Sequence, residues 1–162
     1  MSTSFNVCTY NLMLTVPEPV KMNGQYRRAK QIVNSIFNQI ITPYNLDAII
    51  FTELICYRSR RLIIKHLYNI GWKRHTSTLG NSLVMNFIPK IASGGVMIFT
   101  KHQIIKEKQF IFPESCHTDK LASKGIVYAQ IQKNNNLIHV FATHLQAWND
   151  KKANQIREKQ LQ

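Results

Sequence analysis

A chain of 162 residues with 44% hydrophobic and 18% charged residues has the length of one domain and the composition of a globular one, which excludes a disordered or fibrous chain. Its 21 Lys and Arg against 8 Asp and Glu give a formal charge of +13, which favours anionic partners: nucleic acid, phosphorylated ligands or an acidic membrane surface. No stretch approaches the roughly 20 apolar residues of a bilayer-spanning helix, and residues 1–11 lack a basic segment followed by a long apolar run, so the expectation is a soluble, cytoplasmic or otherwise intracellular protein.

Residues 5–12 alternate apolar and polar like a strand with one buried face, which starts the chain inside a sheet. Beyond Pro17 and Pro19, the residues Ala29, Ile32, Val33, Ile36, Phe37 and Ile40 recur at helical spacing. Arg27, Arg28, Lys30 and Gln31 occupy the other face, so the segment reads as an amphipathic helix over a sheet. The apolar run Ala48–Phe51, entered from Asp47 and ending at Thr52-Glu53, reads as a buried parallel strand with polar groups at its carboxyl end. A second helix over Ser59–Ile70 leads through Gly71 to a strand at Trp72–Thr76, and Thr78–Ala92 reads as an irregular loop.

From Gly94 onward the chain turns to strands: Gly95–Thr100, Ile104–Phe112, Gly125–Gln132 and Leu137–Thr143. The last two join through Lys133-Asn134-Asn135-Asn136, whose asparagines tolerate positive φ in a hairpin turn. Asp150 is placed to cap a final helix. Cys8, Cys56 and Cys116 cannot all pair within one chain and show no zinc-ligand spacing, so they read as free thiols in a reducing compartment. The basic residues (Arg27, Arg28, Lys30, Arg58, Arg60, Arg61, Lys151, Lys152) are scattered and not gathered into a tail, as on a solvated surface.

Three polar side chains follow or interrupt apolar strands: Asn11, Glu53 and His144. Strand ends of open sheets are where ligand-binding groups converge. There Glu53 offers a carboxylate to Mg²⁺, Asn11 a group to orient a ligand, and His144 a donor to a phosphoryl oxygen. The residues alone leave a plainer set of roles open: a turn for Asn11, a helix cap or solvated group for Glu53, a satisfied core imidazole for His144.

Several segments occur in an order that resembles the endonuclease/exonuclease/phosphatase superfamily, and within it the bacterial-type neutral sphingomyelinases. They are Thr9-Tyr10-Asn11, Gly24-Gln25 with Arg28-Ala29, Asp47–Ile50 leading to Glu53, Ser93–Ile98, Asp119–Tyr128 and His139–Ala147. The resemblance covers nearly the whole chain. It implies an α/β fold with mixed sheets and flanking helices, half of a four-layer α/β/β/α sandwich of the deoxyribonuclease-like kind. Residues 1–162 then form a single partial domain, the amino-terminal part, truncated at its carboxyl end.

By the same resemblance Glu53 is the carboxylate for Mg²⁺, Asn11 a polar group beside it, and His144 the stabiliser of a pentacovalent phosphoryl transition state. Asp119 and Lys124 fall in a segment typical of sphingomyelinases, near the substrate or supporting the site; the other reading of Lys124 is a strand-entry residue turned to solvent. The implied function is Mg²⁺-dependent phosphodiester hydrolysis of a phosphocholine-type lipid.

The sequence departs from the family pattern in two respects. The Gly-Asp-x-Asn segment and the late Asp-His pair, which supplies the general base, have no counterpart: no Asp or Asn follows Asn154, and His66, His75, His102, His117 and His139 fall in segments matching neither. The disulfide of the secreted members near Cys116 also lacks its partner, where Trp148-Asn149-Asp150 stands instead. A half sandwich in which each half of the family's chain supplies most of one sheet implies an apolar inner sheet face without a partner. The expectation is therefore a second polypeptide or another copy of this chain to complete it. The alternatives are a non-catalytic remnant or subunit of a split enzyme, and a nucleic-acid-binding or nuclease-type member of the superfamily; Asp119–Tyr128 and Leu145-Gln146-Ala147 resemble sphingomyelinases and not nucleases.

Overall fold

Two sheets, each built wholly from this chain, organise the computed structural model, which describes residues 4–15, 23–41, 43–80 and 92–162. The expectations resting on Pro17, Pro19 and most of the loop at 78–92 lie outside those residues, as do the side chains of Ile36 and Ile40.

The first sheet has the order β1-β2-β4-β3, made of β1 (Val7–Leu14), β2 (Ala48–Leu54), β3 (Arg74–His75) and β4 (Met97–Thr100). β1 runs parallel to β2, whereas β4 is antiparallel to both β2 and β3. The chain thus starts within a sheet as expected; among the described residues β1 pairs with β2 alone, and Val7 is half exposed on it. The second sheet is an antiparallel meander of β5 (Gln103–Ile111), β6 (Gly125–Lys133) and β7 (Asn136–Thr143). Asn134, at φ 54°, makes the β6–β7 turn.

Alternation along the central strands decides the layering, because successive side chains point to opposite faces. Ile49 and Phe51 of β2 with Met97 and Phe99 of β4 face the helices α1 (Asn23–Gln31) and α3 (Tyr57–Asn69), joining Ala29, Ile32, Val33, Ile63 and Leu67 in one core. Phe51 stacks on Phe37 at 5.6 Å and meets Phe99 edge-on at 5.4 Å, pairs that contribute about 1 kcal/mol each beyond their burial. The opposite residues, Ala48, Val96 and Ile98, pack on Val127, Ala129, Ile131, Val140 and Ala142 of the second sheet.

The inner face of the first sheet is therefore covered by strands of the same chain, which corrects the expectation of an unpartnered inner face. Exposed large apolar groups stand instead on the other side of the meander: Phe110 at 58%, Leu137 at 53% and Phe141 at 66% exposure. Asp47 ties the two sheets at one end. Its carboxylate accepts from the Asn6 N–H at 2.8 Å, lies 2.8 Å from both Lys133 Nζ and His102 Nε2, and so spans the first sheet and the end of β6.

Three local features differ from the sequence reading. α1 passes into a π-helical stretch, Ile32–Ile36, before the closing turn α2 (Phe37–Ile40), and Ser35 Oγ donates back to Gln31 O at 2.6 Å. The strand expected at Trp72–Thr76 shrinks to Arg74–His75, because Trp72 is spent on the helix core. A 3-10 turn, His117–Leu121, precedes β6. The final helix α4 (Lys151–Gln160) starts as expected, with Asp150 Oδ1 accepting from the N–H groups of Lys152 and Ala153.

Candidate phosphate and metal site

Parallel pairing brings the carboxyl ends of β1 and β2 together, with Asn11 opposite Thr52. The register then slips. Leu14 pairs with Leu54, leaving Leu12 and Met13 against Glu53 alone. Met13 and Glu53 both take left-handed backbone, φ 51° and 56°. Such a bulge re-aims side chains at a strand end, and each left-handed non-glycine residue costs about 1–2 kcal/mol.

Gly95 makes the Glu53 bulge fit. It has φ +65°, its carbonyl accepts from Leu54 N at 2.9 Å, and a Cβ there would stand 2.7 Å from Leu54 N and 3.1 Å from Glu53 C. Gly-Gly at 94–95 was visible in the sequence as part of a motif, but its task of admitting the Glu53 backbone was not.

A cavity of about 390 Å³ opens beside this bulge, lined by Glu53, Asp119, Lys124, His144, Gly94 and Thr15 among others. Four of the five site residues singled out in the sequence thus meet here. His144, just beyond β7, holds Nε2 3.7 Å from Glu53 Oε1. Lys124, just before β6, is 5% exposed; its Nζ donates to Leu145 O at 2.8 Å and lies 3.2 Å from Asp119 Oδ2. It does not point to solvent.

The same Asp119 oxygen accepts from Ala147 N at 2.8 Å, so Asp119 and Lys124 together fix the backbone on either side of Gln146. Gln146 is itself buried and clasps Cys116 through both its amide atoms, at 3.0 and 3.3 Å. Arg157 and Gln160 of α4 hold the Gln146 backbone from behind, at 2.7 and 2.9 Å. Neither helper stood out in the sequence, since a lysine-rich polar helix gives no sign of clamping a loop.

Asn11 is the exception. It is exposed, does not appear among the described residues lining the cavity, and its Oδ1 accepts from Met13 N at 3.0 Å. In this structure it supports the bulge. The remaining five histidines sit elsewhere: His102 on Asp47, His117 on Asp150 at 2.8 Å, His139 on Tyr128 at 2.8 Å, His66 against Phe37 and His75 against Phe99.

Electrostatically the cavity mixes signs. Burial pushes the His144 imidazole below its ordinary pKa, with the Lys124 ammonium adding to the effect and the Glu53 and Asp119 carboxylates opposing it. His144 is then neutral near pH 7, able to donate from one ring nitrogen and accept at the other. Among the described residues no group of three or more His, Cys, Asp or Glu stands together as a ready-made metal cage. With Asp119 paired to Lys124, Glu53 is the cavity carboxylate left to an ion, and this suits Mg²⁺, which keeps several waters and takes one or two carboxylates plus phosphate oxygens. It does not suit zinc, which takes three or four protein ligands.

No family model matches the chain. Among curated proteins, a sphingomyelinase C of Bacillus cereus is 38% identical over 152 residues, which is 89% of this chain and 44% of that protein. Among solved structures, a β-hairpin deletion mutant of beta toxin from Staphylococcus aureus superposes with TM-score 0.84 at 25% identity, covering 99% of this chain and 59% of that one. A beta toxin F277A, P278A mutant from the same organism, solved with bound magnesium ions, gives TM-score 0.81 at 26% identity over 94% of this chain and 55% of that one. The chain thus spans less than half the length of the curated relative it matches. Its homologues are bacterial sphingomyelinases C, and its two sheets with flanking helices have their deoxyribonuclease-like fold.

Proposed function

We propose that these residues form the phosphate- and metal-binding part of a Mg²⁺-dependent phosphodiester hydrolase of the sphingomyelinase, phospholipase C-like, kind. The observation that carries the proposal is the convergence of Glu53, His144 and the Asp119–Lys124 pair on one cavity, in a chain whose homologues are sphingomyelinases C. A beta toxin structure with bound magnesium ions supports the choice of ion.

In this reading Glu53 holds the ion, which when bound supplies charge stabilisation to a phosphoryl oxygen. Neutral His144 donates a hydrogen bond to the phosphoryl group as negative charge builds on it. Lys124 and Asp119 act indirectly, as positioning residues: they hold the 145–147 backbone and thereby the orientation of His144, while the ammonium adds positive potential to the cavity. Asn11 keeps the β1 bulge in shape beside Glu53. The substrate class is a phosphocholine-type lipid, with the phosphodiester in the cavity.

General-base catalysis contributes about 10²–10⁴-fold, and no residue around the cavity is placed by the resemblance in that role. In this reading full turnover needs groups from beyond the residues that line the cavity: further polypeptide, a second chain or another copy. The partial domain and its completing partner are both part of this proposal.

The test is Mg²⁺-dependent release of phosphocholine from sphingomyelin vesicles by the purified chain, beside Glu53→Gln and His144→Ala. Release that both substitutions abolish is the expected result for a chain that has found its missing groups. Release that persists in Glu53→Gln would exclude the assigned metal carboxylate. Silence in all three, together with no Mg²⁺-induced thermal shift, would leave a non-catalytic remnant.

A further inference from the structure

The basic residues, dispersed in sequence, gather in space. Arg27 and Lys30 of α1 and Arg58, Arg61 and Lys65 of α3 line one groove of about 790 Å³, with Tyr26 and Leu62 completing the wall. No carboxylate lines it among the described residues, and neither α1 nor α3 contains an Asp or Glu. The groove is separate from the cavity around Glu53 and His144, with which it shares no lining residue.

Local helix physics disfavours this arrangement. Arg58, Arg61 and Lys65 recur at i, i+3 and i+7 on one face, as Arg27 and Lys30 do at i, i+3, and like charges at those spacings repel. Anions in the groove offset that repulsion.

The cations are also held in place. Lys30 Nζ lies 5.1 Å from the Tyr26 ring centre, and the Arg61 guanidinium 5.8 Å from that of Tyr57. Their sequence neighbours anchor the helices to the sheet: Arg28 Nε donates to Leu12 O at 3.1 Å, and Arg60 Nη1 to Leu54 O at 3.4 Å. The helix pairs Arg27-Arg28 and Arg60-Arg61 thus split their work, one member bonded to the carboxyl end of β1 or β2, the other lining the groove.

We propose that this groove is a binding site for a ligand carrying clustered phosphate groups. Arginine forks match phosphate oxygens in pairs, and three arginines with two lysines along one open groove suit several phosphates close together better than one carboxylate. The volume falls in the range of small-molecule sites. Its lining is confined to residues 26–30 of α1 and 58–65 of α3, unlike the extended stripe that follows a nucleic-acid backbone. Free polyphosphate and a multiply phosphorylated lipid headgroup present the same chemistry.

Titration calorimetry with inorganic tripolyphosphate tests the free source, and sedimentation with phosphatidylcholine vesicles containing phosphatidylinositol bisphosphate tests the lipid source. The expected result is binding in at least one arm that Arg61→Gln/Lys65→Gln weakens about tenfold or more. Lys106→Gln/Lys108→Gln on β5, which removes the same charge elsewhere, leaves it within about twofold. Equal weakening by the two double variants overturns the proposal, since net charge then explains the binding. So does absence of binding in both arms, or equal sedimentation with phosphatidylserine vesicles of matched charge. Tight duplex DNA binding without tripolyphosphate binding would assign the cations to an extended nucleic-acid surface instead. None of these readouts depends on hydrolysis, so failure here is distinguishable from failure of the Glu53 site.

Discussion

His144 Nε2 lies 3.7 Å from Glu53 Oε1 across the seam between the two sheets. Glu53 ends a strand of the first sheet and His144 follows the last strand of the second, so the site exists only while the sheets stay packed. Anything that loosens the seam separates the proposed metal carboxylate from the proposed phosphoryl donor.

If Glu53 holds Mg²⁺ as proposed, the ion stabilises the folded chain by mass action. Thermal unfolding of the wild type is expected to shift upward with Mg²⁺ and to return on chelation, while Glu53→Gln shows no shift. A shift of the same size in Glu53→Gln would move the ion elsewhere.

Lys124 is nearly excluded from water and its removal leaves Asp119 partly buried without its cation. Breaking such a pair from one side costs about 3 kcal/mol or more. Urea unfolding of Lys124→Met should show a loss of that order, and Asp119→Asn/Lys124→Met together should lose less than the sum of the single changes. A Lys124→Met variant as stable as the wild type would contradict the pairing.

Substitution Gly95→Ala places a Cβ 2.7 Å from Leu54 N at a φ of +65°. The left-handed backbone alone costs about 1–2 kcal/mol, and relieving the contact must move the Glu53–Leu54 peptide. The expected outcome is a stability loss of about 2 kcal/mol or more with a weakened Mg²⁺-dependent thermal shift. Loss of stability with the shift intact would show that Gly95 serves packing only.

Burial lowers the pKa of His66 and, with help from Lys124, that of His144. The unfolded chain, with its imidazoles near 6.5, then binds more protons than the folded chain just below that pH. Stability should accordingly be flat above about pH 7 and fall as pH drops through about 6.5 toward the lowered native values. Asp47 does not share this window, because its pKa is lowered from an already acidic value: burial raises it, but the bonds from Lys133, the Asn6 N–H and His102 prevail. Urea midpoints followed from about pH 8 to about pH 5, in the presence of chelator, should decline less in His66→Gln/His144→Gln than in the wild type. An unchanged decline would assign it to other groups.

Local chemistry wrote much of this protein into its sequence. Alternation marked β1, an apolar run marked β2, helical spacing marked the segment from Ala29 to Ile40, and Asp150 marked the start of α4, because each signal acts within a few residues. Glu53 and His144 were marked by their place at the ends of apolar strands, and Asp119 and Lys124 by the segment that resembles sphingomyelinases.

Tertiary structure decided the rest, since the deciding contacts join residues far apart in the chain. Only packing shows that Lys124 turns inward to Asp119 and Leu145, that the second sheet covers the first, and that Asn11 braces a bulge outside the cavity lining. The positive φ at Glu53 follows from a register slip against β1 and a glycine on β4's approach, neither of which a single strand's pattern records. Likewise, arginines and lysines that look dispersed along the chain become one groove when α1 and α3 lie side by side, because helix packing selects a face and sequence order does not.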